Sequence, residues 1–368
     1  MATTLPGTMA PTDGFVVDER TSPPKPGRIS PLTRRRWANF KANRRGYVSL
    51  WIISILIVLS LFAEFIANDK PIVMGYKGEL YAPVFFFYPE TEFGGVFETE
   101  AVYTSHHVKE LIEAGDGWMV WPPIPFSYDT IDFYTEGAVP EPPSLRHWLG
   151  TDDVARDVTA RIIYGFRLSV LFGLGLTFLS AVIGIAVGAT QGYFGGLIDL
   201  IGQRVVEIWA GLPVLFVIII LTSLIEPNPI ALLLLLLLFN WMALVAVVRA
   251  EFLRTRNFDY VNAARALGEK NLTIMTRYVL PNAMVATLTY LPFILNGSIT
   301  TLTSLDFLGF GLPAGYPSLG ELLAQGKANI QAPWLGLAGF FTLAIMLTLL
   351  VFVGEGVRDA FDPRRSAV

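Results

Sequence analysis

The sequence contains no cysteine and only three histidines. A chain without thiols forms no disulfides and has neither a thiolate nucleophile nor thiolate metal ligands. His106 and His107 are adjacent, so they do not share one helix face as paired metal ligands would. No pairing of a nucleophile with a base and no carboxylate pair stands out in the sequence. We therefore expect no metal site and no catalytic residue.

The sequence also lacks a nucleotide-binding motif. In the nearest match, GELLAQGKA at 320–328, five residues separate Gly320 from Gly326, whereas a phosphate-binding loop needs four. The match ends in Ala328 instead of the serine or threonine that would meet magnesium. We expect no cofactor in this chain, and any ATP must be bound by another subunit.

Charge is scarce and apolar residues are abundant. Charged residues make up 16% of the chain and hydrophobic residues 53%, with a mean hydropathy of +0.51. This composition excludes an ordinary soluble domain and predicts an all-α membrane protein. The net charge of -4 argues against a nucleic-acid partner, because binding phosphates requires a clustered basic surface.

Six stretches have the length and hydropathy of a membrane-spanning helix, which needs about 20 apolar residues. They are Tyr47–Ala67, Phe166–Thr190, Ile208–Leu224, Ile230–Val248, Met284–Leu305 and Leu335–Val353. The fifth contains Pro292 and many hydroxyl side chains. Such a stretch is tolerated where neighbouring helices satisfy its backbone, which predicts a place inside the bundle.

Lysine and arginine are concentrated before the first span, between the fourth and fifth, and after the sixth. Short cytoplasmic loops carry this excess in membrane proteins. We therefore expect both termini in the cytoplasm, and the even number of spans agrees.

The chain is thus predicted to consist of six regions. They are a disordered cytoplasmic tail at 1–30, a basic amphipathic helix at 31–46, the first span at 47–67, a long periplasmic insert at 68–161, a helical core at 162–357 and a cytoplasmic tail at 358–368. The region 31–46 could also be a basic anchor without a defined orientation. Prolines and aromatic residues in the insert favour a small ordered subdomain.

A short helical hairpin is predicted inside the cytoplasmic loop 249–281. Asp259 is a candidate N-cap, and Gly268 suits the left-handed residue that ends a helix. Asn271 is a candidate cap for a second helix, which we expect to run to Pro281. Two helical turns are unstable alone in water, so this element must dock onto something. Its small side chains permit close approach of a partner, but the spacing fits equally well a hairpin packed on its own protein.

This hairpin resembles the EAA loop of ABC-importer permeases. The residues that fit the register are Ala263, Ala264, Gly268, Leu280 and Pro281. Two positions depart from the pattern, with Asn262 where glutamate is usual and Tyr278 where isoleucine is usual.

Three further segments are similar to the C-type permease subunit of dipeptide, oligopeptide and nickel importers. They are HWLGTDDVARDVTARIIYGFRLSVLFG at 147–173, GYFGGLID at 192–199 and SLDFLGFGLPAGYPSLGELL at 304–323. The long insert after the first span resembles the YejE branch, which is associated with peptide and microcin C uptake.

The resemblance implies a type I ABC-importer permease fold in the bacterial inner membrane. It also implies a heterodimer with a paralogous permease, an ATPase that binds ATP and magnesium, and a periplasmic binding protein that delivers peptide. The hairpin would be the coupling helix, and its expected ATPase contacts are Asp259, Tyr260, Asn262, Ala263, Ala264, Arg265, Ala266, Leu267, Gly268 and Pro281.

The polar residues of the fifth span are candidates for the translocation path, namely Thr289, Asn296, Ser298, Thr300, Thr301 and Ser304. Hydrogen bonding between helices explains the same residues equally well. Another cargo, such as nickel, and a self-powered secondary transporter remain alternatives. The latter should show inverted repeats or charges at mid-membrane depth, and we find neither in the sequence.

Overall fold

The computed structural model describes residues 31–135, 137–225 and 228–362. The predicted tail 1–30 and the end of the C-terminal tail lie outside these ranges. The α-helices are α1 Pro31–Ala42, α2 Arg44–Leu61, α3 Ala63–Ile66, α4 His106–Ala114, α5 Val158–Phe194, α6 Gly196–Ala210, α7 Val214–Leu224, α8 Pro229–Asn240, α9 Met242–Thr255, α10 Asp259–Ala266, α11 Asn271–Thr273, α12 Leu280–Phe307, α13 Leu319–Ala328 and α14 Pro333–Phe361.

Four helical segments in the described residues are individually long and apolar enough to cross a membrane. They are Arg44–Leu61, Val158–Phe194, Asn271–Phe307 and Pro333–Phe361. The last three extend beyond the predicted spans because helices continue past the hydrocarbon layer, where polar residues are tolerated.

The predicted third and fourth spans are not single straight helices. Helices α6 and α7 meet at a bend of 71°, and α8 and α9 at 41°. The first bend contains Pro213, which lacks an N–H and cannot continue the α-helical bonding of the preceding turn. If each bent pair is one span, the total reaches the predicted six.

Several predicted boundaries shift. Helix α1 ends at Ala42, and the side chain of Asn43 caps α2 by accepting a hydrogen bond from the Gly46 N–H at 3.0 Å. Asp157 caps α5 in the same way, so the insert ends about four residues before the predicted 161. Helix α14 runs to Phe361, beyond the predicted start of the C-terminal tail at 358.

The insert between α3 and α5 contains a small β-sheet, so the all-α expectation is wrong for this region. Its strands are β1 Val73–Tyr76, β2 Glu79–Tyr81 and β3 Trp118–Val120, in the antiparallel order β2-β1-β3. Met74 pairs with Tyr81 on one side and with Met119 on the other. Aromatic and β-branched side chains in these strands suit a half-buried pleated surface.

Helix α5 runs through the core from the insert to the hairpin. The insert leads into its N-terminus, whereas its C-terminal residues pack with α9 and the hairpin that follows α9. At 1.5 Å per residue, its 37 residues span about 55 Å. The insert and the hairpin therefore lie at opposite ends of the bundle.

Candidate coupling site and its connections

The first limb of the hairpin, α10, begins differently from the prediction. Its N-cap is Phe258, which makes no side-chain cap bond, and Asp259 is already the first helical residue. The prediction of Asp259 as the cap is therefore wrong by one position, although its carboxylate still complements the positive end of the helix dipole.

The end of α10 matches the prediction. Gly268 has φ +81, and its N–H donates to the Arg265 carbonyl at 3.0 Å. The Glu269 N–H donates to the Ala264 carbonyl at 3.2 Å, which completes a Schellman motif. Glycine adopts this left-handed conformation without the steric cost that a side chain imposes.

One narrow face of α10 docks onto the chain itself. Val261 is fully buried and Ala264 is 4% exposed. Both join a cluster with Phe252 of α9, Ile274 and Val279. This packing provides the stabilisation that an isolated helix of eight residues lacks. Ala264, which we expected to contact a partner, instead faces the interior of its own protein.

The opposite face of α10 is uncovered. The exposed residues are Asp259, Tyr260, Asn262, Ala263, Arg265, Ala266, Leu267 and Gly268. Leu267 is 84% exposed. Pro281, on the second limb, is exposed as well.

The second limb of the hairpin differs from the prediction in two respects. Lys270 occupies the N-cap position, and the Asn271 side chain instead accepts a hydrogen bond from the Tyr193 hydroxyl at 2.9 Å. The helix does not end at Pro281 but continues to Phe307. Residues Ile274–Val279 form a π-helix that ends two residues before this proline, and its wider turn accommodates a residue that cannot donate a backbone hydrogen bond.

A line of glycines on α5 holds α9 close, and our sequence analysis missed it. Gly184, Gly188 and Gly192 recur at intervals of four and face the α9 backbone. A Cβ at Gly188 would lie 2.8 Å from the Val245 carbonyl oxygen, and one at Gly192 only 2.6 Å from that of Arg249. Small residues at this interval are typical of closely packed membrane helices, so the contact could have been predicted from the sequence.

A polar contact joins three helices at the bend between α8 and α9. The Asn240 amide nitrogen lies 3.1 Å from Ser180 Oγ on α5 and 3.1 Å from Ser298 Oγ on α12. Ser298 was a candidate for the translocation path, but its side chain is completely buried in this contact.

The remaining candidate path residues lie on α12 in two groups. Thr300, Thr301 and Ser304 are exposed, and each hydroxyl donates to the carbonyl four residues earlier in its own helix. Asn296 is half-buried and donates to the Leu347 carbonyl of α14 at 3.0 Å. Thr289 is half-buried nearer the hairpin. The first group forms a polar stripe that no other described part of the chain covers.

A buried ionic network connects the insert to the core. His147 is 1% exposed and contacts Asp157 through Nδ1 at 2.8 Å and Asp132 through Nε2 at 3.2 Å. Fully buried Arg161 of α5 donates to Glu321 of α13 at 2.6 Å. Our sequence analysis assigned no role to these side chains, because their pairing depends on residues far apart in the chain.

Burial alone would lower the pKa of His147, but its hydrogen bonds to Asp157 and Asp132 outweigh that effect and raise it. An imidazolium donates from both ring nitrogens, so the protonated form satisfies both carboxylates at once.

Comparison with known proteins places these features in a family. Residues 166–367 match the model described as "Binding-protein-dependent transport system inner membrane component". The chain belongs to this family. Residues 30–83 match the N-terminal transmembrane domain of oligopeptide transport permease C. The family match covers the hairpin, the glycine-packed helices and the polar stripe of α12.

Individual relatives agree with the family assignment. The chain is 57% identical to the peptidoglycan transport system permease protein YejE of Agrobacterium fabrum over 93% of this chain and 96% of the relative. It is 58% identical to the inner membrane ABC transporter permease protein YejE of Escherichia coli over 92% and 99%. The dipeptide transport system permease protein DppC of Bacillus subtilis is 34% identical over 61% of this chain. The predicted resemblance to the YejE branch is confirmed.

Proposed function

We propose that this chain is a membrane-embedded permease subunit of an ATP-driven importer, moved by a separate ATPase that grips the hairpin. The observation that carries the proposal is the two-sided character of α10. Val261 and Ala264 anchor it to the bundle, while Ala263 and Leu267 are exposed and accessible to a partner. The family match supports a permease that works with a binding protein.

The helix packing offers a mechanical route from the hairpin to the membrane. Helix α10 follows α9 after a short connection, and α9 lies against the glycines of α5 along its length. Force on α10 is therefore transmitted to a rigid pair of helices instead of being absorbed by a loop.

We propose peptides or peptide-bearing compounds as the cargo, microcin C among them. Relatives are named for the transport of peptidoglycan, dipeptides and oligopeptides. The polar stripe of Thr300, Thr301 and Ser304 would line the path, because hydroxyls bonded to their own helix still accept hydrogen bonds from a passing amide.

The proposed topology places both termini and the hairpin in the cytoplasm and the insert in the periplasm. A paralogous permease would complete a heterodimer, and a periplasmic binding protein would deliver cargo at the outer end. ATP and magnesium would be bound by the ATPase subunit. Helices α6 and α7 expose many apolar side chains, which suits contact with lipid or the second permease.

The decisive experiment introduces a charge on the exposed face of α10 in the fully assembled transporter. Ala263→Asp should abolish peptide uptake and the cargo-stimulated part of ATP hydrolysis, while the subunit still inserts and assembles. Leu145→Asp is the matched control, because Leu145 is 99% exposed in the insert at the other end of the molecule. Wild-type uptake by the Ala263→Asp transporter would contradict the proposed role of α10.

A further inference from the structure

The insert contains a cavity of about 780 Å³, separate from both the hairpin and the polar stripe of α12. Pockets for small molecules typically measure about 300–1,000 Å³. Its aromatic lining consists of Trp121, Phe126, Phe133 and Tyr134. Phe133 is 83% exposed, so a large aromatic ring stands at the cavity without a partner in the described chain.

Two cations line the same cavity. The ammonium of Lys109 lies 5.7 Å from the centre of the Trp121 ring, and no carboxylate in the described part of the chain pairs with it. Arg146 binds the buried Asp132 at 2.8 Å, yet half of its side chain is exposed. Its guanidinium therefore keeps donors available for a second carboxylate.

Ser105, Thr130 and Asp69 also line the cavity. The hydroxyl of Ser105 accepts from the Val108 N–H, and that of Thr130 donates to Asp69 at 2.9 Å. Asp69 takes part in no ion pair among the residues that the structure describes. The cavity thus offers Lys109, the exposed part of Arg146 and Asp69 to an occupant, together with aromatic surface. Its second acid, Asp132, is already bound to Arg146 and His147.

This combination fits a small zwitterion with an apolar body. A cavity of this size suits a small molecule better than a protein partner, which normally buries about 800 Å² per side. A metal ion would need several clustered ligands, and none are found in the described ranges. Pro122, Pro123 and Pro125 stiffen one wall, so little ordering is required when a ligand binds.

We propose that this cavity binds short peptides through their free C-terminus, as a site on the permease itself. The terminal carboxylate binds Lys109 and Arg146, and apolar side chains contact Trp121 and Phe133. Asp69 is available to the peptide's ammonium group. The inference rests on the proposed peptide cargo, and it adds a place where the outer insert holds cargo before translocation.

The test measures peptide binding to the full-length chain in lipid nanodiscs by titration calorimetry, without partner subunits. The probe is Ala-Ala-Phe with a free C-terminus, compared with the same peptide amidated at that end. We expect amidation and Lys109→Gln each to weaken binding at least about tenfold, the loss of one charge-assisted contact. Phe133→Ala should weaken it as well.

Lys77→Gln is the matched control. Lys77 also lies over an aromatic ring in the insert, 4.9 Å from the centre of Tyr76, but it does not line the cavity. This variant should bind the peptide like the unmodified chain. Equal affinity for both peptides, or unchanged affinity in Lys109→Gln, would overturn the inference.

A parallel uptake assay with the complete transporter separates this inference from the proposed function. Peptide import without binding to the isolated chain would refute the cavity site and leave the function standing. Binding to the chain without import by the complete transporter would refute the function and leave the site.

Discussion

Arg249 and Asp199 are joined by two parallel hydrogen bonds, Nε to Oδ1 at 2.5 Å and Nη2 to Oδ2 at 2.6 Å. Asp199 lies in the first turn of α6 and Arg249 on α9, one turn from the end of the glycine-packed contact with α5. The pair therefore ties α6 to α9 at the end of the bundle that carries the hairpin.

Asp199→Ala should lower the free energy of unfolding by about 1–3 kcal/mol, because it removes a bidentate, charge-assisted contact and leaves Arg249 unpaired. Chemical unfolding in detergent measures this change. Asp199→Arg and Arg249→Asp should each destabilise the protein, and the double variant should be more stable than the sum of these two losses predicts. If the pair contributed nothing, the two losses would simply add.

Gly188→Leu should separate α9 from α5, because even a Cβ at this position would lie 2.8 Å from the Val245 carbonyl oxygen. Overpacking of this kind typically costs about 1–3 kcal/mol or more. We expect a lower unfolding temperature and loss of cargo-stimulated ATPase activity in the assembled transporter. Gly297→Ala serves as the control for stability, since a Cβ at Gly297 meets no atom within 4 Å.

Asn240→Leu should destabilise the contact among α5, α8 and α12 by about 1–2 kcal/mol, given the typical strength of hydrogen bonds between membrane helices. The bend should also become less well defined, and spin labels on either side of it would report a broader distance distribution. Ser180→Ala removes only one of the two bonds and should produce about half the effect. An Asn240→Leu protein with unchanged stability and distances would exclude a structural role for this contact.

The contact between the insert and α5 should become less stable as pH rises through the pKa of His147. Because that pKa is raised above 6.5 in the folded state, protonation stabilises the fold. The stabilisation is complete below the unfolded value and is lost as the imidazole deprotonates, which leaves one N–H for two carboxylates. Unfolding measured between about pH 6 and about pH 9 tests this, a range in which histidine is the residue expected to titrate.

Two variants isolate the histidine. His147→Gln should flatten the pH dependence over this range. His106→Gln should preserve it, because the side chain of His106 is 82% exposed on the surface of the insert. If the stability of His147→Gln depends on pH as that of the unmodified protein does, another group is responsible for the dependence.

Much of the architecture followed from local sequence. The apolar stretches around Phe166–Thr190 and Leu335–Val353 lie within long helices. The left-handed glycine at 268 ended α10 as expected. Cap positions were less accurate, because α10 begins one residue earlier than expected and places Phe258, whose side chain cannot cap, at the N-cap position.

The sequence alone determined the membrane class, the position of the hairpin and the register of its motif, because apolar length and glycine geometry are properties of contiguous residues. Only the tertiary structure decided that Ala264 faces inward while Ala263 faces outward, that Ser298 belongs to a helix contact and that Lys109 lines a cavity with Arg146. These outcomes depend on which distant side chains pack together. Such long-range contacts cannot be predicted from hydropathy and local spacing.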